Sequence, residues 1–301
     1  MESTDKYIIG ADVGGTNIRV GRMRGFEIEE LVKVPLSDVL SGDKQPEKLA
    51  RFIADYCQGI SVAAVAVGLP GTLDRDCRRV LKTPNIPGLS GSDLKSIMQA
   101  YLQVPIFLEN DAVMLLSGDI HRLELDRRGV YLGCYIGTGL GSALYINGAV
   151  PKGANGISEM GHMPVFGKDE LCSCGNRGCA ENYVSGRYLQ KLRSEKYPDI
   201  HISEIFTAFR GTEEYSEYIE ILSVILAGTV NLLDPTAVII GGGVASMKGF
   251  PKEELFERVC FHAMKPVPAK NLKILYSPER EDAGVFGAAV FARCMLETHR
   301  L

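Results

Sequence analysis

The chain has 301 residues, of which 46% are hydrophobic and 23% are charged, and its formal net charge is −4 at pH 7. This length exceeds what one small core needs and fits one large or two medium-sized domains. The sequence has no long basic run, no leader-like start and no apolar run of the ~18 residues that span a membrane, so we expect a cytoplasmic protein that binds neither nucleic acid nor membranes.

The first elements are predicted to form a strand meander. Its strands are expected at Tyr7–Asp12, Ile18–Met23 and Leu31–Pro35, with Gly14-Gly15-Thr16-Asn17 as a hairpin turn. Apolar spacing then predicts a helix at Pro46–Cys57, and a run of Val and Ala predicts a buried strand at Val62–Leu69.

Helices and strands alternate over the middle of the chain. Helices are expected at Ser92–Leu102, with Ser92 as its cap, and at Asp111–Ile120. Strands are expected at Val104–Leu108, Val130–Ile136 and Leu140–Ile146.

Residues 147–179 are rich in Gly, Pro and Cys and show little periodicity. Beyond them, helical spacing occurs at Gly186–Glu195, Ile202–Ala208, Glu214–Leu233, Glu253–Ala263 and Ala283–Glu297. Short apolar strands are expected at Ala237–Ile240 and Leu272–Tyr276.

The order of elements is weakly repeated, because a glycine-rich turn follows an apolar strand both at Asp12–Thr16 and at Gly137–Gly141. This repetition predicts two similar α/β lobes that face a cleft, with a boundary near Ser117–Arg127. We expect a smaller lobe of residues 1–117 and 284–301, and a larger lobe of residues 118–283 that carries the cysteine-rich loop.

The first turn has the residue types that a phosphate group requires. Glycines let backbone N–H groups approach an anion, a hydroxyl can donate to a phosphate oxygen, and an acid at the strand end can hold Mg2+ through water. The candidate nucleotide-binding residues in this turn are Asp12, Gly14, Gly15, Thr16 and Asn17. An ordinary Gly-Gly hairpin is the alternative.

Two later glycine turns are further candidates. Gly137, Thr138 and Gly139 repeat the strand-turn-strand design and could hold a second phosphate, although a tight hairpin explains them equally well. Gly242 and Gly243 follow another strand, where bare backbone could lie against a base or ribose. A plain strand-to-helix turn is the alternative there.

The cysteine cluster gives the most specific signal. Cys172, Cys174 and Cys179 have the spacing Cys-x-Cys-x4-Cys, and His162 lies ten residues upstream. One nitrogen and three thiolates form a closed tetrahedral zinc set, which predicts a structural metal because no coordination position is left open. Three unrelated thiols are the alternative.

An acidic stretch follows the strand predicted at Val104–Leu108. Asp111 would stand at a helix N-terminus, where the helix dipole keeps a carboxylate charged, and it could accept a proton from a substrate hydroxyl. A helix cap without a chemical role is the alternative.

Together these motifs resemble the ROK family (repressors, open reading frames and sugar kinases), over about Tyr7 to Ala292. The resemblance implies two ribonuclease-H-like lobes of the actin/hexokinase/Hsp70-like superfamily around a nucleotide cleft, with ATP and Mg2+ bound there and a hexose as substrate. Within the resemblance, Asp111 falls on the family's catalytic base. The positions implied to bind the sugar are Gly71, Asn85, Asn110, Asp111, Glu159, His162 and Glu181.

His162 then has two roles, with one ring nitrogen on zinc and the other on a sugar hydroxyl. The sequence departs from the family pattern at Gly153–His162, which is one residue shorter than usual and has Ser158 before Glu159. Segments such as Asn17-Ile18-Arg19 and Thr83–Pro87 look most like the D-allose kinase branch. The expected reaction is phosphorylation of a hexose, at C6 and with D-allose first; glucose, fructose and N-acetylmannosamine remain open.

Members of the family also include sugar-responsive transcriptional regulators with a helix-turn-helix domain before the first phosphate loop. Only 11 residues precede Asp12, so the sequence favours the kinase. A homodimer is the habit of the family, and the resemblance implies no more about assembly.

Overall fold

The computed structural model describes residues 6–154 and 157–298. Part of the shortened stretch Gly153–His162, namely Asn155 and Gly156, therefore lies outside the described residues. The strands are β1 (Tyr7–Val13), β2 (Asn17–Arg24), β3 (Glu27–Pro35), β4 (Val62–Leu69), β5 (Thr72–Leu73), β6 (Val80–Lys82), β7 (Ile106–Asn110), β8 (Val130–Ile136), β9 (Leu140–Ile146), β10 (Ala237–Gly241) and β11 (Ile274–Tyr276).

The helices include several of a single turn. They are α1 (Leu36–Val39), α2 (Gln45–Tyr56), α3 (Leu94–Gln99), α4 (Asp111–Arg122), α5 (Glu181–Val184), α6 (Gly186–Lys196), α7 (Ile205–Ala208), α8 (Glu213–Leu233), α9 (Lys252–His262) and α10 (Ala283–Thr298).

The chain divides into two compact units, each described by itself. Unit 1 comprises Met1–Asp126, Pro151–Ile157 and Arg280–Leu301, so far as these are described. Unit 2 comprises Arg127–Val150 and Ser158–Glu279. All of α4 belongs to unit 1, where this helix packs along α10. The short segment 151–157 belongs to unit 1 as well.

Unit 1 is built on a five-stranded sheet of order β3-β2-β1-β4-β7. The first three strands are antiparallel, as the meander predicted, whereas β4 and β7 run parallel to β1. Strand β4 reads Val-Ala-Ala-Val-Ala-Val-Gly-Leu and is buried over its last six residues, as expected for a parallel strand covered on both faces.

Glycines bring α4 and α10 into close contact in unit 1. A Cβ added at Gly118 would lie 3.0 Å from the Gly287 Cα, and one added at Gly287 would lie 2.6 Å from the Met114 carbonyl carbon. Gly10 of β1 likewise faces the Val285 backbone of α10. The backbones of β1, α10 and α4 therefore pack with no side chain between them at these points.

Unit 2 is built on a four-stranded sheet of order β11-β10-β8-β9, in which β8 and β9 form an antiparallel hairpin and the other pairs are parallel. Its core contains aromatic residues from α7 and α8, with Phe206 and Tyr218 in edge-to-face contact at 5.4 Å between ring centroids. Helix α8 has the length and hydropathy of a membrane span, but half of the relevant window is buried in the protein, as in a core helix.

The structure corrects the predicted cap of the helix at 92–102. The helix is shorter, Leu94–Gln99, and its cap is Asp93, whose carboxylate accepts a hydrogen bond from the Ser96 N–H at 3.1 Å. The Ser92 hydroxyl instead donates to the Leu89 carbonyl at 2.7 Å, so it belongs to the preceding turn.

Candidate active site

The carboxyl ends of three neighbouring strands of unit 1 meet at one edge of its sheet. Asp12 of β1 is level with Gly68 of β4, which is level with Glu109 of β7. The segments that follow these strands are the turn after Asp12, the Gly71 turn and the start of α4. Ligands of open α/β sheets bind at such an edge.

Asp12 is held between a neighbouring strand and the start of α10. It faces Arg19 across the β1–β2 ladder, and the two side chains form an ion pair at 3.3 Å. A Cβ added at Gly284 would lie 2.6 Å from the Asp12 Cγ. Burial raises the pKa of Asp12, although Arg19 acts in the opposite direction. A carboxylate desolvated in this way gains from a nearby cation such as Mg2+.

The turn after Asp12 presents bare backbone to solvent. Gly14 N–H donates to the Asn17 carbonyl at 2.9 Å, which closes the turn, and both Gly15 and Thr16 are exposed. Asn85 lies beside this turn, since a Cβ added at Gly15 would be 3.1 Å from the Asn85 Cβ. The predicted nucleotide turn and one predicted sugar residue are therefore neighbours.

Asn110 and Asp111 stand at the N-terminus of α4. The Asn110 side chain caps the helix, because its Oδ1 accepts from the Ala112 N–H at 2.9 Å, and its Nδ2 donates to the Gly71 carbonyl at 3.0 Å. Gly71 has φ +107°, a conformation that L side chains rarely adopt. Asp111 is the first helical residue, and its Oδ1 also accepts from Ala112 N–H, at 2.8 Å. Unit 1 thus brings Gly71, Asn110 and Asp111 together.

The glycine turns of unit 2 lie at the ends of two adjacent strands. Gly137, Thr138 and Gly139 join β8 to β9, and Gly186 N–H of α6 donates to the Gly137 carbonyl at 2.7 Å. Gly242 follows β10, has φ +89°, and lies so close to β8 that an added Cβ would be 2.8 Å from the Ile136 nitrogen. Gly243 comes next and has open space where its Cβ would be.

Glu181 connects the first of these turns with the cysteine cluster. Its Oε2 accepts a hydrogen bond from the Leu140 N–H at 3.2 Å, and its Oε1 lies 3.7 Å from the Cys172 Sγ. The residue was predicted to bind sugar. Its observed contacts also give it a part in holding the Gly137–Gly139 turn.

The predicted metal ligands are brought together as a set. One ligand atom from each of His162, Cys172, Cys174 and Cys179 lies within 4.8 Å of all the others. Cys174 and Cys179 have their sulfurs 3.7 Å apart, and His162 Nδ1 is 3.6 Å from the Cys172 Sγ. Tetrahedral bonds of about 2.3 Å to sulfur and about 2.0 Å to nitrogen place ligand atoms at such separations. The donor set therefore fits Zn2+.

Backbone hydrogen bonds and two glycines shape the loop that carries these cysteines. Cys172 N–H donates to the Asn176 carbonyl at 2.8 Å, and an isolated bridge joins Pro164 to Cys179. Gly175 and Gly178 have φ of +98° and +71°, which lets the chain reverse twice within a few residues.

Sequence reasoning missed Ser142, which fixes the stretch before His162. The Ser142 hydroxyl donates to the Ser158 carbonyl and accepts from the Met160 N–H at 3.0 Å, on either side of Glu159. Ser158 has φ +65°, an uncommon value for a residue with a side chain. A serine within the otherwise apolar strand β9 was the available signal.

Known proteins are similar to this chain over nearly its whole length. The family model described as "ROK family" matches residues 8–294. An N-acetyl-D-glucosamine kinase of Vibrio cholerae is 31% identical, with 93% of this chain and 97% of that protein aligned. A glucokinase of Thermotoga maritima is 28% identical, with 94% and 96% aligned.

A solved structure agrees with the sequence relatives. The crystal structure of a ROK family glucokinase from Streptomyces griseus, in complex with glucose and AMPPNP, has a TM-score of 0.76 and 26% identity, and covers 95% of this chain and 99% of that one. The predicted α/β fold class of the actin/hexokinase-like superfamily is confirmed. By its motifs, its fold and these matches, the chain belongs to the ROK family.

Proposed function

We propose that this chain transfers the γ-phosphoryl group of ATP to a hydroxyl of a hexose. The observation that carries the proposal is the alignment of Asp12, Gly68 and Glu109 across unit 1, which puts the nucleotide turn and Asp111 at the same sheet edge. The N-acetyl-D-glucosamine kinase and glucokinase relatives support this activity, and the AMPPNP complex supports ATP as the donor.

In this proposal Asp111 is the base that accepts the proton of the attacking hydroxyl. Its place at the N-terminus of a 12-residue helix favours the ionised carboxylate that a base must be. Asn110, Gly71 and Asn85 form the surroundings in which the sugar would be oriented. General-base assistance contributes about 10²–10⁴-fold to rate, and positioning and charge stabilisation supply most of the remainder.

The glycine turns are proposed to bind the nucleotide. Gly15 and Thr16 are exposed, and backbone N–H groups of the turn that contains Gly14, Gly15 and Thr16 would bind phosphate oxygens. Backbone N–H groups of the Gly137–Gly139 turn would do the same. Asp12 would hold Mg2+ through water, and the ion would neutralise charge on the transferred phosphoryl group. Gly242 and Gly243 would lie against the base or ribose.

The metal cluster is assigned to a structural zinc ion bound by His162, Cys172, Cys174 and Cys179. Because His162 directs Nδ1 at the cluster, its Nε2 remains for a sugar hydroxyl, so the metal would fix the tautomer that recognises substrate. Glu159 and Glu181 would complete this sugar-binding group.

The hexose is proposed to be phosphorylated at C6. D-allose remains the substrate predicted from the sequence, whereas the relatives named above act on N-acetyl-D-glucosamine and glucose. An enzyme that uses ATP and a free hexose would act in the cytoplasm. The rival function is a sugar-responsive regulator, which would bind DNA and release no ADP.

A panel of hexoses with ATP and Mg2+ tests the proposal through ADP release. D-allose, glucose, fructose, N-acetylglucosamine and N-acetylmannosamine are compared. Turnover of any one hexose supports a kinase, and its relative kcat/KM identifies the substrate. Tight, hexose-sensitive DNA binding without turnover would replace the kinase by the regulator.

The base role is tested by Asp111→Asn. We expect a fall in kcat of about 10²–10⁴-fold, with hexose binding largely retained because the amide is isosteric. Asp93→Asn is the matched control: it changes an aspartate at the start of α3, and Asn caps helices as well as Asp does. Near-normal turnover of Asp111→Asn would remove Asp111 from the base role.

A further inference from the structure

A cluster of three side chains lies next to Asn110 and takes no part in the proposed chemistry. Glu109 is 6% exposed, and its Oε2 accepts a hydrogen bond from the Lys152 ammonium. The Cys77 thiol donates to the same Oε2 at 3.5 Å and accepts from the Lys152 Nζ at 3.0 Å. The other carboxylate oxygen, Oε1, accepts from the Asn110 N–H at 3.1 Å.

Charge explains why the cluster holds together. A carboxylate as buried as Glu109 is stable only when it is paired and hydrogen-bonded, and Lys152 supplies the positive charge. Burial acts to lower the pKa of Lys152, but the charge of Glu109 and the hydrogen bonds to Cys77 and Glu109 together outweigh it, and the pKa is raised. Burial raises the pKa of Cys77 to about 11, so this thiol is neutral and can donate.

The cluster joins two pieces of chain that the proposed function uses. Glu109 ends β7 and is directly followed by Asn110 and Asp111. Lys152 lies in segment 151–157, which belongs to unit 1 although the residues on both sides of it belong to unit 2.

We infer that Lys152 and Glu109 are positioning residues for the hexose. The ion pair fixes the Glu109 carboxylate, which holds the Asn110 N–H and so sets the orientation in which Asn110 and Asp111 meet the sugar. This inference rests on the proposed function of that same site. Cys77 completes the hydrogen bonding of the carboxylate and has no chemical step.

The test separates positioning from simple loss of stability. We expect Lys152→Met to raise the KM for the hexose about tenfold, the effect of losing one oriented contact, with the KM for ATP within about twofold of the unchanged enzyme. Lys152→Arg keeps the cation and should restore most of the hexose KM. Lys33→Met is the matched control, because Lys33 makes an exposed ion pair with Glu281 in the same unit.

A double variant examines the pairing itself. Glu109→Gln keeps an oxygen for the Asn110 N–H but needs no cation, so Lys152→Met should raise the hexose KM by less than about threefold in the Glu109→Gln background. Equal effects of Lys152→Met in both backgrounds would overturn the inference. So would a hexose KM for Lys152→Met that stays within about twofold of the unchanged enzyme.

Hydrogen exchange keeps the inference testable if no hexose is turned over, an outcome that would refute the proposed function alone. Lys152→Met should then speed exchange of the Asn110 amide, while Lys33→Met leaves it unchanged. Unchanged exchange at Asn110 would overturn the inference. If Lys152→Met is not recovered as a folded protein, Lys152→Gln, which keeps a hydrogen bond without the charge, takes its place in every comparison.

Discussion

Gly287→Ala tests the close packing of α10 on α4, on which the placement of Asp111 depends. The added Cβ would lie 2.6 Å from the Met114 carbonyl carbon, whereas ordinary van der Waals contact begins at 3.4 Å. The Met114 carbonyl oxygen would be closer still, so the two helix backbones must move apart by more than about 0.8 Å, the difference between these two distances. Met114 lies one turn after Asp111 on α4, so the movement reaches the start of the helix.

Two opposing effects set the expected stability. Alanine is favoured over glycine within a helix by about 0.5–1 kcal/mol, but overpacking a close-packed contact typically costs about 1–3 kcal/mol. We expect Gly287→Ala to lose about 1–2 kcal/mol net and to lower the Tm by a few degrees. A misplacement of about 1 Å at a catalytic group can reduce turnover up to about 10²-fold, so kcat should fall at least several-fold.

Gly228→Ala is the matched control, because Gly228 also lies within a helix, α8, but is exposed and has nothing within 4 Å of an added Cβ. It should raise stability slightly, by up to about 1 kcal/mol, and leave kcat unchanged. Thermal unfolding and ADP release on the two variants provide the comparison. A Gly287→Ala variant as stable and as active as Gly228→Ala would show that the contact between α10 and α4 does not position Asp111.

Two further predictions concern the metal and the buried acid. Cys174→Ser should lower the zinc content of the purified protein and its Tm, since an incomplete ligand set binds the ion weakly. Cys57→Ser, at a cysteine outside the cluster, should leave the zinc content unchanged. Asp12→Asn should abolish turnover yet raise the free energy of unfolding at pH 7, because the raised pKa of Asp12 means that folding penalises its charged form. That gain should disappear below about pH 4, where the carboxyl is protonated in both states.

Each of these two predictions has an outcome that would contradict it. Full zinc content in Cys174→Ser, measured by metal analysis after dialysis, would show that the cluster does not bind the ion as a set of four. A destabilised Asp12→Asn across the whole pH range, measured by denaturant unfolding, would show that the Arg19 ion pair outweighs the burial of Asp12.

The apolar pattern of the sequence predicted the helices and strands well where periodicity clearly indicated one type of element. The apolar strands β1, β4 and β8 and the long helices α2 and α8 have nearly the predicted limits, because burial and periodicity agree there. The end of β7 was placed two residues early, at Leu108, since Glu109 and Asn110 are polar residues that a strand pattern does not predict. The burial of Glu109 and the side-chain hydrogen bonds of both residues depend on partners far along the chain.

The candidate site was predictable where spacing along the chain encodes geometry, as in the three cysteines and His162. It was not predictable where the partner is distant. Lys152 and Glu109 are 43 residues apart, and Cys77 resembles any other scattered thiol in the sequence. The hydrogen bond from the Leu140 N–H to Glu181 likewise depends on how α5 packs against the β8–β9 hairpin, and the local sequence does not predict that packing.

The contact between β1 and α10 has a consequence for how the protein is made. Gly10 near the beginning of the chain packs against Val285, near its other end. During synthesis on the ribosome, the face of the unit 1 sheet that packs against α10 stays exposed while some 270 intervening residues are made. Unit 2, by contrast, has all its strands once Tyr276 has been synthesised. The unit whose synthesis begins first is therefore completed last, and its apolar face is the surface that a nascent-chain chaperone would meet.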